Sequence, residues 1–150
     1  MEIAELLDRF DTVTVLVVGD VILDEYIGGD CARLSPEAPV PIVRVNPLMA
    51  RSTLGGAANT AANIASLGGT VVLIGVVDGD AAGRRVEELC RSANITFVPI
   101  RDGRPTGRKT RVIGHRQQLL RLDYEDTHAL SADAELVLLT ECAAGFQGSR

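Results

Sequence analysis

Asp20 and Asp24 stand four positions apart, directly after a β-branched apolar run from Thr12 to Val18. In open α/β sheets ligands bind beyond the C-terminal ends of the strands, and carboxylates placed there accept hydrogen bonds from sugar hydroxyls. An aspartate at a strand end serves equally well in a turn or a helix cap, so the pair alone leaves both roles open. A second group, Gly55, Gly56 and Asn59, opens an alanine-rich stretch. Two residues without side chains let bare backbone amides approach a ligand at a helix N-terminus, and Asn59, one turn in, offers both a donor and an acceptor. The same glycines also suit a tight turn before a closely packed helix. The third group is a basic hairpin. Alternate residues of a strand share a face, which puts Lys109 with Arg111 on one strand and Arg121 with Asp123 on its partner. Arginine grips phosphate through a bidentate fork, and Asp123 can orient a neighbouring arginine or a sugar hydroxyl. A solvated strand face is the bland alternative.

Charge favours the ligand. From Arg101 to Arg121 seven basic residues face one acid, Asp102, although the whole chain carries a net charge of −5. A basic segment inside an acidic protein points to a small anion, phosphate being the simplest, more than to nucleic acid. The five aromatic residues, Phe10, Tyr26, Phe97, Tyr124 and Phe146, are too few for a base-stacking platform, which leaves an arginine-rich RNA binder as a minor reading. The longest apolar runs, Val15 to Val18 and Val71 to Ile74, fall far short of the ~20 residues of a membrane span. The acidic start, Met1 to Glu5, lacks the basic opening of a secretory signal, so a cytoplasmic protein without membrane contact is expected. Cys31, Cys90 and Cys142 lie far apart and no histidine has metal-ligand spacing, so neither a disulfide framework nor a metal site is expected. Gly103 to Thr110 imitates a phosphate-binding loop, but Arg108 separates glycine from lysine and the following residues read as strand. His115 and His128 stand alone.

These groups need a frame. Ile3, Leu6, Leu7 and Phe10 at helical spacing predict a short helix over 2–10. Thr12 to Val18 is continuously apolar, which predicts a central parallel strand covered on both faces. Gly29 to Leu34 and Val40 to Val45, separated by a proline-rich turn, read as edge strands of a flap outside the main sheet. Gly55 to Gly68 reads as a helix, Val71 to Val77 as a second buried strand, Ala81 to Ser92 as a helix with Val86, Leu89 and Cys90 inward, and Ile95 to Ile100 as a third strand. Lys109 to Ile113 and Gln118 to Asp123 form the hairpin, and Ser131 caps a last helix reaching about Phe146. Strand and helix alternate as in an α/β layered domain with a parallel sheet, and that alternation predicts a further strand after the last helix.

Five strings carry a resemblance: VVGDVILDEYIGG, RLSPEAPVPIV, LGGAANTAANIASLGG, GVVDGDAAG and QQLLRLDYE. Together they resemble the ribokinase-like (PfkB) family of sugar kinases, and within it the heptose 7-phosphate kinases, over nearly the whole chain. The resemblance implies a layered α/β/α sheet with a small β lid, part of it supplied by residues 26–45. Residues 1–150 would be the N-terminal part of the kinase domain, with the nucleotide-binding half outside it. Asp24 matches the family aspartate that holds sugar hydroxyls, and Gly55, Gly56 and Asn59 match its sugar-binding helix start. Lys109, Arg111, Arg121 and Asp123 fall where such kinases contact the phosphorylated sugar. The implied reaction moves the γ-phosphoryl group of ATP, with Mg²⁺, to the anomeric hydroxyl of D-glycero-β-D-manno-heptose 7-phosphate, which feeds ADP-heptose and lipopolysaccharide synthesis. The family's Gly-x-Gly-Asp motif, with its base and anion hole, does not occur here, nor does the adenylyltransferase motif His-x-Gly-His. No catalytic residue is therefore expected in this chain, and ATP and Mg²⁺ are not expected to bind well to it alone. The alternative is a natural short sugar-phosphate binding or regulatory module. A homodimer through the lid is implied by the resemblance only.

Overall fold

A computed structural model describes residues 9–147. Most of the helix expected over 2–10 lies outside the described residues; Phe10 opens a single 3-10 turn, Phe10–Thr12. Three parallel strands then build one sheet: β1 (Thr14–Val18), β5 (Thr70–Val76) and β6 (Thr96–Ile100), in the order β1-β5-β6. Helices α1 (Ala57–Ser66) and α2 (Ala81–Ser92) cover one face, and α3 (Ala132–Gln147) covers the other. The core is correspondingly split. Leu73, Val71, Val86, Cys90 and Ala61 cluster beneath α1 and α2, while Ile74, Ile100 and Ala134 cluster beneath α3.

Among the described residues β1 pairs with β5 alone, at the sheet's edge, and the central strand is β5. The difference has a physical reason. A continuous apolar run reports two covered faces, not two paired edges: Val17 packs into the first cluster and Leu16 into the second.

A second sheet stands beside the first. It holds β2 (Val21–Leu34), β3 (Pro41–Val45), β4 (Arg51–Gly56), β7 (Gly107–Gly114) and β8 (Gln117–Tyr124), in the order β3-β2-β7-β8 with β4 also paired to β2. The flap expected from residue 26 onward is thus one part of a five-stranded lid, whose long strand starts at Val21. Val21 and Leu23 are buried while Ile22 and Asp24 lie on the other side, the alternation of a sheet covered on one face.

Small residues set the joints. Gly56 has φ +57°, and a Cβ there would lie 2.3 Å from the carbonyl oxygen of Asp20, which instead accepts the amide of Ala57 at 2.8 Å. Only glycine fits this turn between β4 and α1. Asp80 caps α2, accepting the Gly83 amide at 2.7 Å with one oxygen and the Thr106 amide at 3.1 Å with the other. The Thr106 hydroxyl accepts the Asp78 amide at 2.8 Å, so the β5–α2 loop is tied to the residue just before β7.

Candidate functional site

The site is a row of polar side chains on one face of the lid. In the parallel pairing of β2 with β7, Asp24 stands opposite Lys109; in the antiparallel pairing of β7 with β8, Lys109 stands opposite Asp123 and Arg111 opposite Arg121. Paired residues share a face, so Asp24, Lys109, Arg111, Arg121 and Asp123 project together. Gly55 lies in the same row, opposite Ile22, and a Cβ on it would come within 2.7 Å of the Asp24 carboxylate. The missing side chain therefore makes room for that carboxylate.

The charges are paired along the row. Arg111 donates to Asp24 at 2.6 Å and stacks 5.3 Å above the Tyr26 ring, and both partners of the pair are about four-fifths buried. The hydrogen bond to Asp24 holds the Arg111 guanidinium more firmly protonated than usual. Arg121 makes a two-pronged contact with Asp123, at 2.7 and 2.9 Å, and its hydrogen bonding holds the Asp123 carboxyl below the ordinary range. Lys109 Nζ sits between Asp123 at 3.8 Å and Glu125 at 3.6 Å. The arginine forks expected to grip phosphate are thus already engaged by carboxylates.

One end of the row opens into a cavity of about 540 Å³ between lid and main sheet. Its walls include Asp20, Ile22, Lys109, Arg104 and the connector from β8 to α3, notably Glu125 and His128. Asp20 and Lys109 reach this cavity; Asp24, Arg111, Arg121 and Asp123 continue the row along the strands beyond it. Gly56 sits at the foot of the lid against Asp20, and Asn59 is exposed on the first turn of α1. Asp24 lies within a lid strand, not in a loop after β1 as the strand-end reading would have it. The burial alternation along Val21 to Asp24 sets that placement, and the residue types Val, Ile, Leu and Asp carry no such alternation.

Sequence reasoning missed the connector. Glu125, Asp126, Thr127 and His128 line the cavity, with His128 Nδ1 2.6 Å from Asp126. A run of four polar residues following a site strand was the available signal. It also passed over Arg104, whose side chain is mostly buried beside the cavity.

Among the described residues no group of three or more His, Cys, Asp or Glu side chains is arranged to hold a metal ion. Gly107 to Thr110, within the loop-like run, belongs to β7 and not to a helix N-terminus. Nor is any helix among them long and apolar enough to cross a membrane.

A family model described as pfkB family carbohydrate kinase matches residues 15–145. The chain is 49% identical over 119 residues to a D-beta-D-heptose 7-phosphate kinase of Bordetella bronchiseptica, covering 79% of this chain and 37% of that protein. It is 46% identical over 138 residues to the bifunctional protein HldE of Methylobacillus flagellatus, covering 91% of this chain and 28% of that one. The chain thus spans only about a third of the length of these relatives. In three dimensions it is similar to phosphofructokinase-2 from Escherichia coli, solved with substrates and products, at a TM-score of 0.66 and 20% identity over 88% of this chain and 40% of that one. That likeness concerns the fold, a ribokinase-like layered sheet with a lid.

Proposed function

The chain belongs to the pfkB family of carbohydrate kinases, and from that premise we propose that it is the sugar-binding, N-terminal part of a kinase acting on D-glycero-D-manno-heptose 7-phosphate. The observation that carries this reading is the row Asp24, Arg111, Lys109, Arg121 and Asp123 on one lid face beside the cavity. Carboxylates and arginine forks alternate there, which suits a ligand that is hydroxylated along its length and phosphorylated at one end. The heptose kinases among the relatives support the choice of sugar.

Each residue has a task in this reading. Asp24 accepts hydrogen bonds from ring hydroxyls, oriented by Arg111. Gly55 leaves room for that carboxylate, and Gly56 with Asn59 begins the helix that closes the sugar pocket. Arg121 and Lys109 exchange their carboxylate partners for the 7-phosphate, and Asp20 faces the end of the sugar that enters the cavity. ATP and Mg²⁺ are substrates of the whole enzyme, held by parts of it beyond these residues; they supply the phosphoryl group and its charge neutralisation. The catalytic base belongs there too, so this chain binds and orients without transferring. The setting is cytoplasmic, where sugar phosphates and ATP occur together, and the product is a heptose 1,7-bisphosphate. A homodimer through the lid is part of the proposal, supported by the exposed Leu120, Leu122 and Tyr124 on edge strand β8.

Titration calorimetry of the chain with heptose 7-phosphate, the unphosphorylated heptose and inorganic phosphate tests the reading. Preference for the sugar phosphate over both others is expected, and equal, weak binding of all three would sink it. Sedimentation velocity tests the dimer: a monomer at all concentrations removes the lid interface.

A further inference from the structure

The row of site residues sits on strands, but one wall of the cavity is the irregular connector from Glu125 to Leu130, which has no ladder to hold it. Arg104 and Asp102 meet it. Arg104 donates from Nε to Asp102 at 2.8 Å, from one terminal nitrogen to the carbonyl oxygen of His128 at 2.9 Å and from the other to that of Ala129 at 2.9 Å. Asp102 uses its second oxygen to accept the Ser131 amide at 3.2 Å and the Ser131 hydroxyl. Ser131 in turn caps α3, its hydroxyl accepting the Ala134 amide at 3.3 Å. The side chains are 17% and 5% exposed, so this is a shielded clamp and not a surface pair.

Among the described residues the chain passes between main sheet and lid four times, and the clamp joins two of these passages, the one entering β7 and the one leaving β8. Asp80 and Thr106 anchor the first of these to the β5–α2 loop, so the second is held through it. We propose that Arg104 and Asp102 are positioning residues for the sugar site: they fix the connector that forms the cavity wall and thereby set the place of Glu125 and His128 relative to Asp20 and Lys109. This deepens the sugar-phosphate reading and rests on it for its consequence, though the clamp itself has a readout that needs no ligand. Arginine is specific to the task, because three acceptors in different directions are met by one planar fork, whereas lysine offers one compact charge.

The test compares the wild-type chain with Arg104→Ala, Arg104→Lys and Asp102→Asn. Hydrogen exchange is read over 126–135, with α1 as the internal control, and affinity for heptose 7-phosphate is measured by calorimetry. Losing hydrogen bonds to a charged group predicts exchange over 126–135 faster by roughly tenfold or more, with α1 unchanged, and a comparable loss of affinity. Arg104→Lys is expected to behave like Arg104→Ala; full rescue by lysine would mean that charge alone matters and would overturn the clamp. Unchanged exchange in all three variants overturns it as well. Faster exchange with unaltered affinity overturns the link to the site. If the wild-type chain binds no heptose phosphate, the functional reading fails, while the exchange data still decide whether the clamp exists.

Discussion

At the scale of single residues, magnitudes decide which arginine can be recruited by a ligand. The Arg121–Asp123 pair is exposed on the Arg121 side, and exposed ion pairs contribute little to stability because water and salt screen them. On the proposed reading, a phosphate, which offers more hydrogen-bonding oxygens, would displace Asp123 at little cost. Arg111, more buried and bound to Asp24 at 2.6 Å, is held in place and serves to orient the carboxylate. Asp24→Asn keeps the shape but loses charge-assisted bonding, so sugar-phosphate affinity should fall by about 1.5–3 kcal/mol, and the melting temperature should also drop because the mostly buried Arg111 loses its charged partner. Calorimetry on the variant checks this; an unchanged dissociation constant removes Asp24 from the sugar site. Arg121→Ala should weaken the phosphorylated heptose and spare the unphosphorylated one. Equal losses for both sugars would make Arg121 a structural partner of Asp123. Cys90 is excluded from chemistry by its setting, since burial first and the Glu87 charge second push its thiol up to about 11 and keep it protonated.

At the scale of elements, the joints between them carry the stability of the site. Gly56→Ala meets both a left-handed φ and the Asp20 carbonyl at 2.3 Å. The cost should exceed about 1 kcal/mol, measured as a shifted denaturation midpoint with an unchanged slope. A variant as stable as the wild type would mean that the β4–α1 turn is not built as described. Asp80 joins α2 to the start of β7. Burial pushes its carboxyl up, but the hydrogen bonds from Gly83 and Thr106 outweigh it and hold the carboxyl below its ordinary value. A depressed pKa contributes stability that is complete above the unfolded value, about 3.9, and is lost as pH falls through the lower folded value. Asp80→Asn should therefore lower stability at pH 7 and flatten the decline below pH 4; an unchanged acid limb would exclude Asp80 as its source.

At the scale of the whole molecule, lid and main sheet make different demands. β5 is paired on both sides and covered on both faces, so Leu73 and Ile74 are sealed. Elsewhere apolar surface stands open: Leu136, Val137 and Leu139 are half to two-thirds exposed on α3. Exposed apolar patches and unpaired strand edges favour association. The 150-residue chain is therefore expected to bind heptose phosphate yet show no ATP-dependent turnover, and to aggregate more readily than a longer chain that carries the rest of the relatives' length. Coupled ADP release on both chains checks the first point, and light scattering the second. Turnover by the short chain would move the catalytic base into it. A monodisperse, cooperatively melting and inactive short chain would favour the stand-alone binding module.

What the sequence determined by itself follows from local periodicity and motif. Val71 to Val77 reads as a buried strand and Ala81 to Ser92 as a helix because the side-chain pattern follows the geometry of each element, and both appear with nearly those bounds. The hairpin of Lys109 and Arg121 was legible for the same reason, and the family was legible in five strings of residues. Tertiary structure decided which strand occupies the centre of the sheet, that Val21 to Leu34 is a single lid strand, and that Asp24 meets Arg111 across 87 positions of sequence. It also brought Arg104 to the carbonyls of His128 and Ala129. Pairing order and long-range hydrogen bonds depend on how elements stack, and side-chain pattern within one element carries no record of the neighbour it will meet.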